Sequence, residues 1–205
     1  TLLLDLSEAA DQDAAWHLLE LPEVFYTHMA PPCGTASRAR EKRLPRSLNR
    51  GYGPRPLRTE SEPWGLRTLS QWESMRVMRA NLVYLFCFHV ALRSMLRGAG
   101  WSIENPRNSL LWFTGLMRFL LRASTVIDVD YDACMWGGSR PKCQRIRSHI
   151  KHMAHMAVRC DGSHYHEDWG LISTRRGTVF ATSLEAAYPQ ELCDELVRAA
   201  VQFGR

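Results

Sequence analysis

Three groups of residues in this chain have types and spacings that could do chemistry. The first is Cys33 in "APPCGTASRAR" (30–40), a cysteine behind two prolines where an apolar run, "EVFYTHM", gives way to a basic stretch. A buried structural cysteine needs no such setting, whereas a nucleophile that must meet an anionic substrate does. The second is Glu104 in "SIENP", an acid at the end of another apolar run; Asp5, after "LLL", stands in a similar place. The third is "CDGSHYH", in which Cys160, His164 and His166 offer thiolate and imidazole donors at a spacing that suits zinc. The segment cannot close a tetrahedron alone, so a fourth ligand would come from Cys134, Cys143 or His155. The same residues also read as a polar turn ahead of "WG" with solvated histidines.

The elements that must position these groups follow from periodicity and punctuation. "TLLLDLS" reads as a strand buried on both faces, Asp11 to Leu21 as a helix, and "EVFYTHMA" as a strand stopped by Pro31. Residues 38–67 hold nine Lys/Arg against three Glu. They read as one long basic loop reaching to about residue 69, in which Trp64 could stack on a base. Ser70 and Gly98 or Gly100 bracket a long helix. "WSIENP" is a strand, "NSLLWFTGLMRFLLRAS" a helix, "TVIDVDYDACMW" a strand followed by the turn "GGSRPK", and "EAAYPQELCDELVRAAVQF" a helix with Pro189 near its first turn. His149, His152 and His155 recur at three-residue spacing and read as surface residues on one helix face. Alternating strands and helices predict an α/β fold with a mainly parallel sheet and flanking helices. In such a sheet Asp5, Cys33 and Glu104 would share the rim at the strands' carboxyl ends.

Composition bounds the class. The chain has 205 residues, 45% of them apolar and 23% charged, which suits a single globular domain with a core. The net charge is +5, and Arg greatly outnumbers Lys. The guanidinium fork matches phosphate bidentately, although charge alone fits an ordinary basic surface equally well. Six dispersed cysteines form no disulfide framework and point to a reducing compartment, hence an intracellular protein, nuclear in a eukaryote. The longest apolar run, Ala80 to Leu92, is too short to span a bilayer and carries His89, so no membrane association is expected. The chain opens at Thr1 inside an apolar run and is expected to be a piece of a longer polypeptide.

Taken in order, "APPCGTASRAR" and "IENP" resemble two motifs of the C5-cytosine methyltransferases of nucleic acids. One is a Pro-Cys at a strand end ahead of a mobile loop. The other is a Glu-Asn-Val at the end of the next strand, here with Pro106 in place of Val. "RPKCQRIR" (140–147) is similar to a later basic motif centred on Gln and Arg. The chain departs from the family in having Gly34 where Gln is common and a longer gap from Cys33 to Glu104. It also lacks the upstream Gly-rich cofactor loop and the acidic residue that holds the ribose.

The resemblance implies a partial Rossmann-like, methyltransferase-type fold that transfers a methyl group from S-adenosylmethionine to cytosine through a covalent cysteine adduct. It implies catalytic roles for Cys33 as nucleophile, Glu104 as the group that holds ring nitrogen N3, and Arg145. It implies cofactor contacts from Asp5, Pro32 and Asn105, and nucleic-acid contacts, to DNA before RNA, from Arg38, Arg40, Lys42, Arg43, Arg140 and Lys142. Cys33 needs a lowered pKa, favoured by Arg38 and Arg40, and Glu104 a raised one. The second reading is a degenerate, non-catalytic nucleic-acid-binding module of a mobile-element polyprotein. A third is a metal-stabilised structural domain, with residues 150–180 as a small metal-binding insertion.

Overall fold

The chain runs α1 (Ala9–Leu19), β1 (Tyr26–Met29), α2 (Gln71–Arg97), β2 (Gly100–Pro106), α3 (Gly115–Leu120), β3 (Ile127–Asp132), β4 (Cys143–Ser148), β5 (Leu171–Thr174), β6 (Gly177–Phe180) and α4 (Gln190–Phe203). This is a computed structural model, and it describes residues 2–42, 55–174, 177–181 and 187–204. Short 3-10 turns lie at Arg38–Glu41, Leu110–Phe113, Ala133–Trp136 and Lys151–Met156.

One sheet has the order β1-β2-β4-β3. Strands β1 and β2 are parallel, with Tyr26 opposite Gly100 and Met29 opposite Ile103. Strand β4 is antiparallel to both β2 and β3. The fold is therefore mixed α/β as expected, but the sheet is mostly antiparallel rather than mainly parallel. The physical reason is the connection 133–142, which is too short for a parallel crossover of about a dozen residues and closes a hairpin instead. Strand β4 falls in "CQRIRS", whose charges disguise it, and the hairpin β5–β6 stands apart as a second, two-stranded sheet.

Helix α2 ends where its unsatisfied backbone groups are met. The Ser70 hydroxyl accepts from Glu73 N–H while the Glu73 carboxylate accepts from Ser70 N–H, a reciprocal capping box. Gly98 closes the helix at φ +69°, a left-handed conformation that Gly reaches without Cβ strain. The helix is long and apolar enough to cross a bilayer by length and composition. Here Val77, Ala80, Tyr84, Cys87, Val90 and Ala91 are buried, and α2 packs on β2. All but Val77 join Trp101, Ile103, Leu111 and Met117 in one core, while Val129, Tyr131, Ile146, Ile150, Leu192 and Leu196 form another beneath α4.

Two expected elements differ. Residues 2–5 form no strand, and Leu2 and Leu3 are exposed. The expected helix over 108–124 is interrupted at Thr114, which takes extended backbone and caps Met117 N–H with its hydroxyl. His149 is not a surface residue of a helix face: its ring stacks on Trp101 at 5.6 Å and meets Phe203 edge-on at 5.2 Å. His155 instead pairs with Glu195 at 2.9 Å.

The basic stretch is only partly a loop in the expected sense. Arg43 and its neighbours through residue 54 lie outside the described residues. Beyond them the chain turns inward, and both Leu57 and Arg58 are fully buried. The Arg58 guanidinium donates to Thr35 Oγ1 (2.9 Å), Asn81 Oδ1 (2.7 Å) and the Pro63 carbonyl (2.7 Å), and lies 5.1 Å over the Tyr84 ring. Arg58→Met keeps most of the volume but leaves three buried acceptors short of a donor. The expected loss is about 3 kcal/mol, which urea unfolding should report as a lowered midpoint at unchanged slope.

Candidate functional site

Cys33 and Glu104 are positioned by the parallel strand pair. The register that sets Met29 opposite Ile103 runs on past the end of β1. There Asn105 Nδ2 donates to the Pro31 carbonyl (2.8 Å) and the Tyr84 hydroxyl donates to the Pro32 carbonyl (2.8 Å). These bonds anchor the two prolines on both sides and leave Cys33 at the head of a turn. The Cys33 carbonyl accepts from Ala36 and Ser37 N–H, and Cys33 itself is half-buried. Glu104 is 6% exposed near the carboxyl end of β2. The Glu104 charge acts on Cys33, and Lys142 acts on both.

The electrostatics differ from expectation at Cys33. Burial pushes its thiol up from the ordinary value, Lys142 pulls it back down, and the Glu104 charge pushes it further up. The favourable cation is Lys142 rather than Arg38 or Arg40. At Glu104 burial raises the carboxyl as expected, opposed by the Tyr188 hydrogen bond and by Lys142. The two groups are coupled: a neutral Glu104 removes one of the influences that disfavour the Cys33 thiolate.

Glu104 ends a hydrogen-bond chain that no local pattern announces. Tyr188 Oη donates to Glu104 Oε2 at 2.8 Å. His28 Nε2 lies 3.0 Å from Tyr188 Oη, and His28 Nδ1 lies 2.7 Å from Ser102 Oγ. Ser102 Oγ lies 2.6 Å from Tyr26 Oη. With His28 neutral and protonated on Nε2, each member donates toward Glu104: Tyr26 to Ser102, Ser102 to His28, His28 to Tyr188. Burial lowers His28 to about 4, which keeps it neutral as this order requires. The other carboxyl oxygen, Glu104 Oε1, is buried with no hydrogen-bond partner among the described residues, and so are Tyr131 Oη and Gln144 Oε1. By strand alternation and register all three belong to the same face of the sheet.

Arg145 is not part of this group. It stands opposite Asn105 in the β2–β4 register, and consecutive strand residues point to opposite faces, so it lies across the sheet from Glu104. There it bonds the Asp130 carboxylate through Nε (2.7 Å) and Nη2 (3.0 Å). Arg147, 1% exposed, grips Asp128 in the same way at 2.6 and 2.7 Å, and lies 4.8 Å over Trp112. Two aspartates of β3 thus stand directly opposite the two arginines of the "QRIR" motif.

The other basic residues separate into two kinds. Lys42 is exposed. Arg38 is paired with Glu41 and Glu60, and Arg40 reaches back to the carbonyls of Arg55 (2.8 Å) and Gly34 (3.4 Å), bracing the turn after Cys33. Arg140 is 4% exposed and bonds the Asp168 carbonyl at 3.0 Å, so it fastens a neighbouring segment. Trp64 is 40% exposed, and its carbonyl accepts from Asn81.

Of the three expected cofactor residues, Asp5 and Pro32 line one cavity of about 550 Å³ beside β1, whereas Asn105 contributes through its hold on Pro31. The walls include Leu4, Leu6, Val83 and Phe86. Apolar walls with one carboxylate at the rim suit a flat heteroaromatic ring with a polar edge.

The cysteine–histidine segment folds back on the β3–β4 connection. One ligand atom each from Cys134, Cys160, His164 and His166 lies within 4.8 Å of every other. Cys143 is drawn away by Arg159, whose Nη1 donates to its Sγ at 2.8 Å.

No protein-family model matches the chain, and neither a curated protein nor a solved structure is significantly similar to it.

Two measurements test the Glu104 environment. A carboxyl raised above its ordinary 4.5 contributes stability that is complete below that value and is lost as pH rises through the raised one. Glu104→Gln removes this loss while keeping an acceptor for Tyr188. Its Tm should exceed that of the parent by about 2–4 °C above neutrality, for a gain of about 1 kcal/mol, and match it in acid. Tyr188→Phe removes a bond that favours the carboxylate, so carbon-13 titration of Glu104 should move to still higher pH. A downward move would show that the hydroxyl does not support the charged form.

Proposed function

We propose that this chain is a C5-cytosine methyltransferase-like domain whose sheet is part of a Rossmann-like, methyltransferase-type sheet, and that its substrate is cytosine in DNA. The observation that carries the reading is the pairing of a half-buried Cys33 with a buried Glu104 at the carboxyl ends of adjacent parallel strands. Glu104 has a raised pKa and one carboxyl oxygen with no hydrogen-bond partner among the described residues.

The residue types fit the chemistry. Cytosine C6 is a poor electrophile until N3 is protonated or hydrogen-bonded. Glu104, whose protonated form burial favours, donates its proton from the carboxyl toward N3. The Cys33 thiolate then forms a bond to C6, and the C5–C6 π electrons move into the ring to leave C5 nucleophilic. Lys142 offsets the thiolate charge. Tyr131 and Gln144, on the same face with unmet hydrogen bonds, suit the polar edge of a base taken out of its stack. S-adenosylmethionine, when bound, supplies an electrophilic methyl group for C5, and Asp5 and Pro32 are the residues that would hold its adenine end. Lys42, Arg38 and Arg40, near the turn after Cys33, suit the phosphates on either side of the base.

One observation favours the second reading, a non-catalytic nucleic-acid-binding module: burial pushes the Cys33 thiol up rather than down, which disfavours the nucleophile.

The two readings part in an assay that needs no methyl donor. Addition of Cys33 to C6, protonation at C5 and reversal exchange the C5 hydrogen with solvent. The chain should release tritium from DNA carrying 5-tritiated cytosine. Cys33→Ser should abolish release, Glu104→Gln should lower it about 10²–10⁴-fold, and Cys193→Ser, on α4, should leave it unchanged. Binding of the same DNA without any release would overturn the enzyme in favour of the binding module.

A further inference from the structure

The segment 157–170 has no regular secondary structure, and none of its side chains is buried. It nevertheless follows a defined path across the end of the β3–β4 hairpin. Asp132 N–H donates to the Val158 carbonyl (3.0 Å), Cys160 N–H to Asp132 Oδ2 (2.9 Å), and Glu167 N–H to the Ser139 carbonyl (3.0 Å). None of the segment's apolar side chains is buried, which raises the question of what fixes the stretch between those bonds. In the middle of it stand Cys160, His164 and His166, facing Cys134 of the 3-10 turn after β3.

We propose that Cys134, Cys160, His164 and His166 are the four ligands of a structural zinc ion. The distances between donor atoms carry the assignment. Cys160 Sγ lies 3.9 Å from His164 Nε2 and 3.4 Å from His166 Nε2, and the two Nε2 atoms are 3.0 Å apart. A tetrahedron with zinc–sulfur bonds of ~2.3 Å and zinc–nitrogen bonds of ~2.0 Å has sulfur–nitrogen edges of about 3.5 Å and nitrogen–nitrogen edges of about 3.3 Å. All three distances fall near these edges. Two thiolates and two neutral imidazoles are the donor set that selects zinc among the common divalent ions, and two negative charges neutralise it. Binding releases the two thiol protons, and each imidazole gives its Nε2 lone pair with its proton on Nδ1.

The surroundings are built for such a site. Gly162 N–H donates to Cys160 Sγ at 3.3 Å, a bond that orients a ligating sulfur and tempers its charge. Gly162 reaches this position at φ +75°, in the left-handed region. Cys134 is buried and fixed by its turn, in which Gly138 N–H donates to the Ala133 carbonyl (2.9 Å). A Cβ at Gly138 would lie 2.8 Å from that carbonyl oxygen, so the turn needs glycine. Four protein donors leave no open position, which makes the site structural rather than catalytic. Ala133 N–H also donates to the Lys142 carbonyl (2.9 Å), so the ion steadies the hairpin end from which Lys142 acts on Cys33 and Glu104.

The test uses the intact chain, zinc and cobalt(II). Protein dialysed against a trace of zinc should retain one equivalent by elemental analysis. Cobalt(II) in its place should give the intense visible bands of a tetrahedral site together with thiolate charge-transfer absorption. Cys160→Ser and His166→Ala should lose the metal, and Cys193→Ser, outside the cluster, should keep it. Chelation of the parent should strip hydrogen-exchange protection from residues 158–167 while β2 and β4 keep theirs, and added zinc should restore it. This readout is independent of variant folding and of methyl-transfer chemistry. Substoichiometric zinc in the parent, an octahedral cobalt spectrum, metal retained by Cys160→Ser, or an unchanged exchange pattern after chelation would each overturn the assignment.

Discussion

A guanidinium with no carboxylate partner among the described residues holds the Cys33 end of this molecule together. Arg58 is fully buried, no carboxylate pairs with it among the described residues, and its charge is met by the carbonyls of Pro63 and Val77, by Thr35 and Asn81, and by the face of Tyr84. Removing a cation from water costs several kcal/mol unless its donors are satisfied, so these partners are not free to move independently. They belong to three stretches of chain: the turn after Cys33, the returning basic segment, and helix α2. Tyr84, whose ring lies under the guanidinium, also donates to the Pro32 carbonyl. The position of Cys33 thus rests on a charge two turns of chain away.

The sheet sorts its polar chemistry by strand alternation. Glu104 and Asn105 are neighbours in sequence and face opposite ways. On one side lie the tyrosines, His28 and Glu104 itself. On the other lie Asp128, Asp130, Arg145 and Arg147, paired across β3 and β4 in register. A slip of one residue would bring the carboxylates of β3 to the Glu104 face and bury their charge against it. The two antiparallel strands therefore do more than extend the sheet. They keep a neutralised ladder of charges away from a face that carries one raised carboxyl.

Much of this is legible in the sequence, and the remainder is hidden for physical reasons. Pro31 and Pro32 mark the end of β1, Ser70 and Gly98 bound α2, and Cys160, His164 and His166 stand out by spacing; each signal is local. Arg58 reads as one more charge in a solvated run, because its burial depends on α2 and on Thr35 arriving from elsewhere. Tyr188 meets His28 across 160 residues with nothing in either neighbourhood to suggest it. Strand β4 is charge-rich because its arginines have aspartates opposite them, and a reader without the pairing sees a basic motif. Cys134 and Cys143 flank the same turn, and only the fold assigns Cys143 to Arg159 and leaves Cys134 facing the histidines.

The chain of donors ending at Glu104 registers a proton only on the oxygen it reaches, since one on Oε1 leaves every member as it stands. A hydrogen placed on Glu104 Oε2 would oblige Tyr188 to turn its own toward His28. The imidazole would then have to bare Nε2 and carry its proton on Nδ1. Ser102 would in turn accept from the ring and donate to Tyr26. Five groups would exchange one orientation for its reverse, with no change of charge on any but the first. The tautomer of His28 is thereby a gauge of which oxygen of a carboxyl it never touches carries the proton, and nitrogen-15 shifts of that single ring would read it.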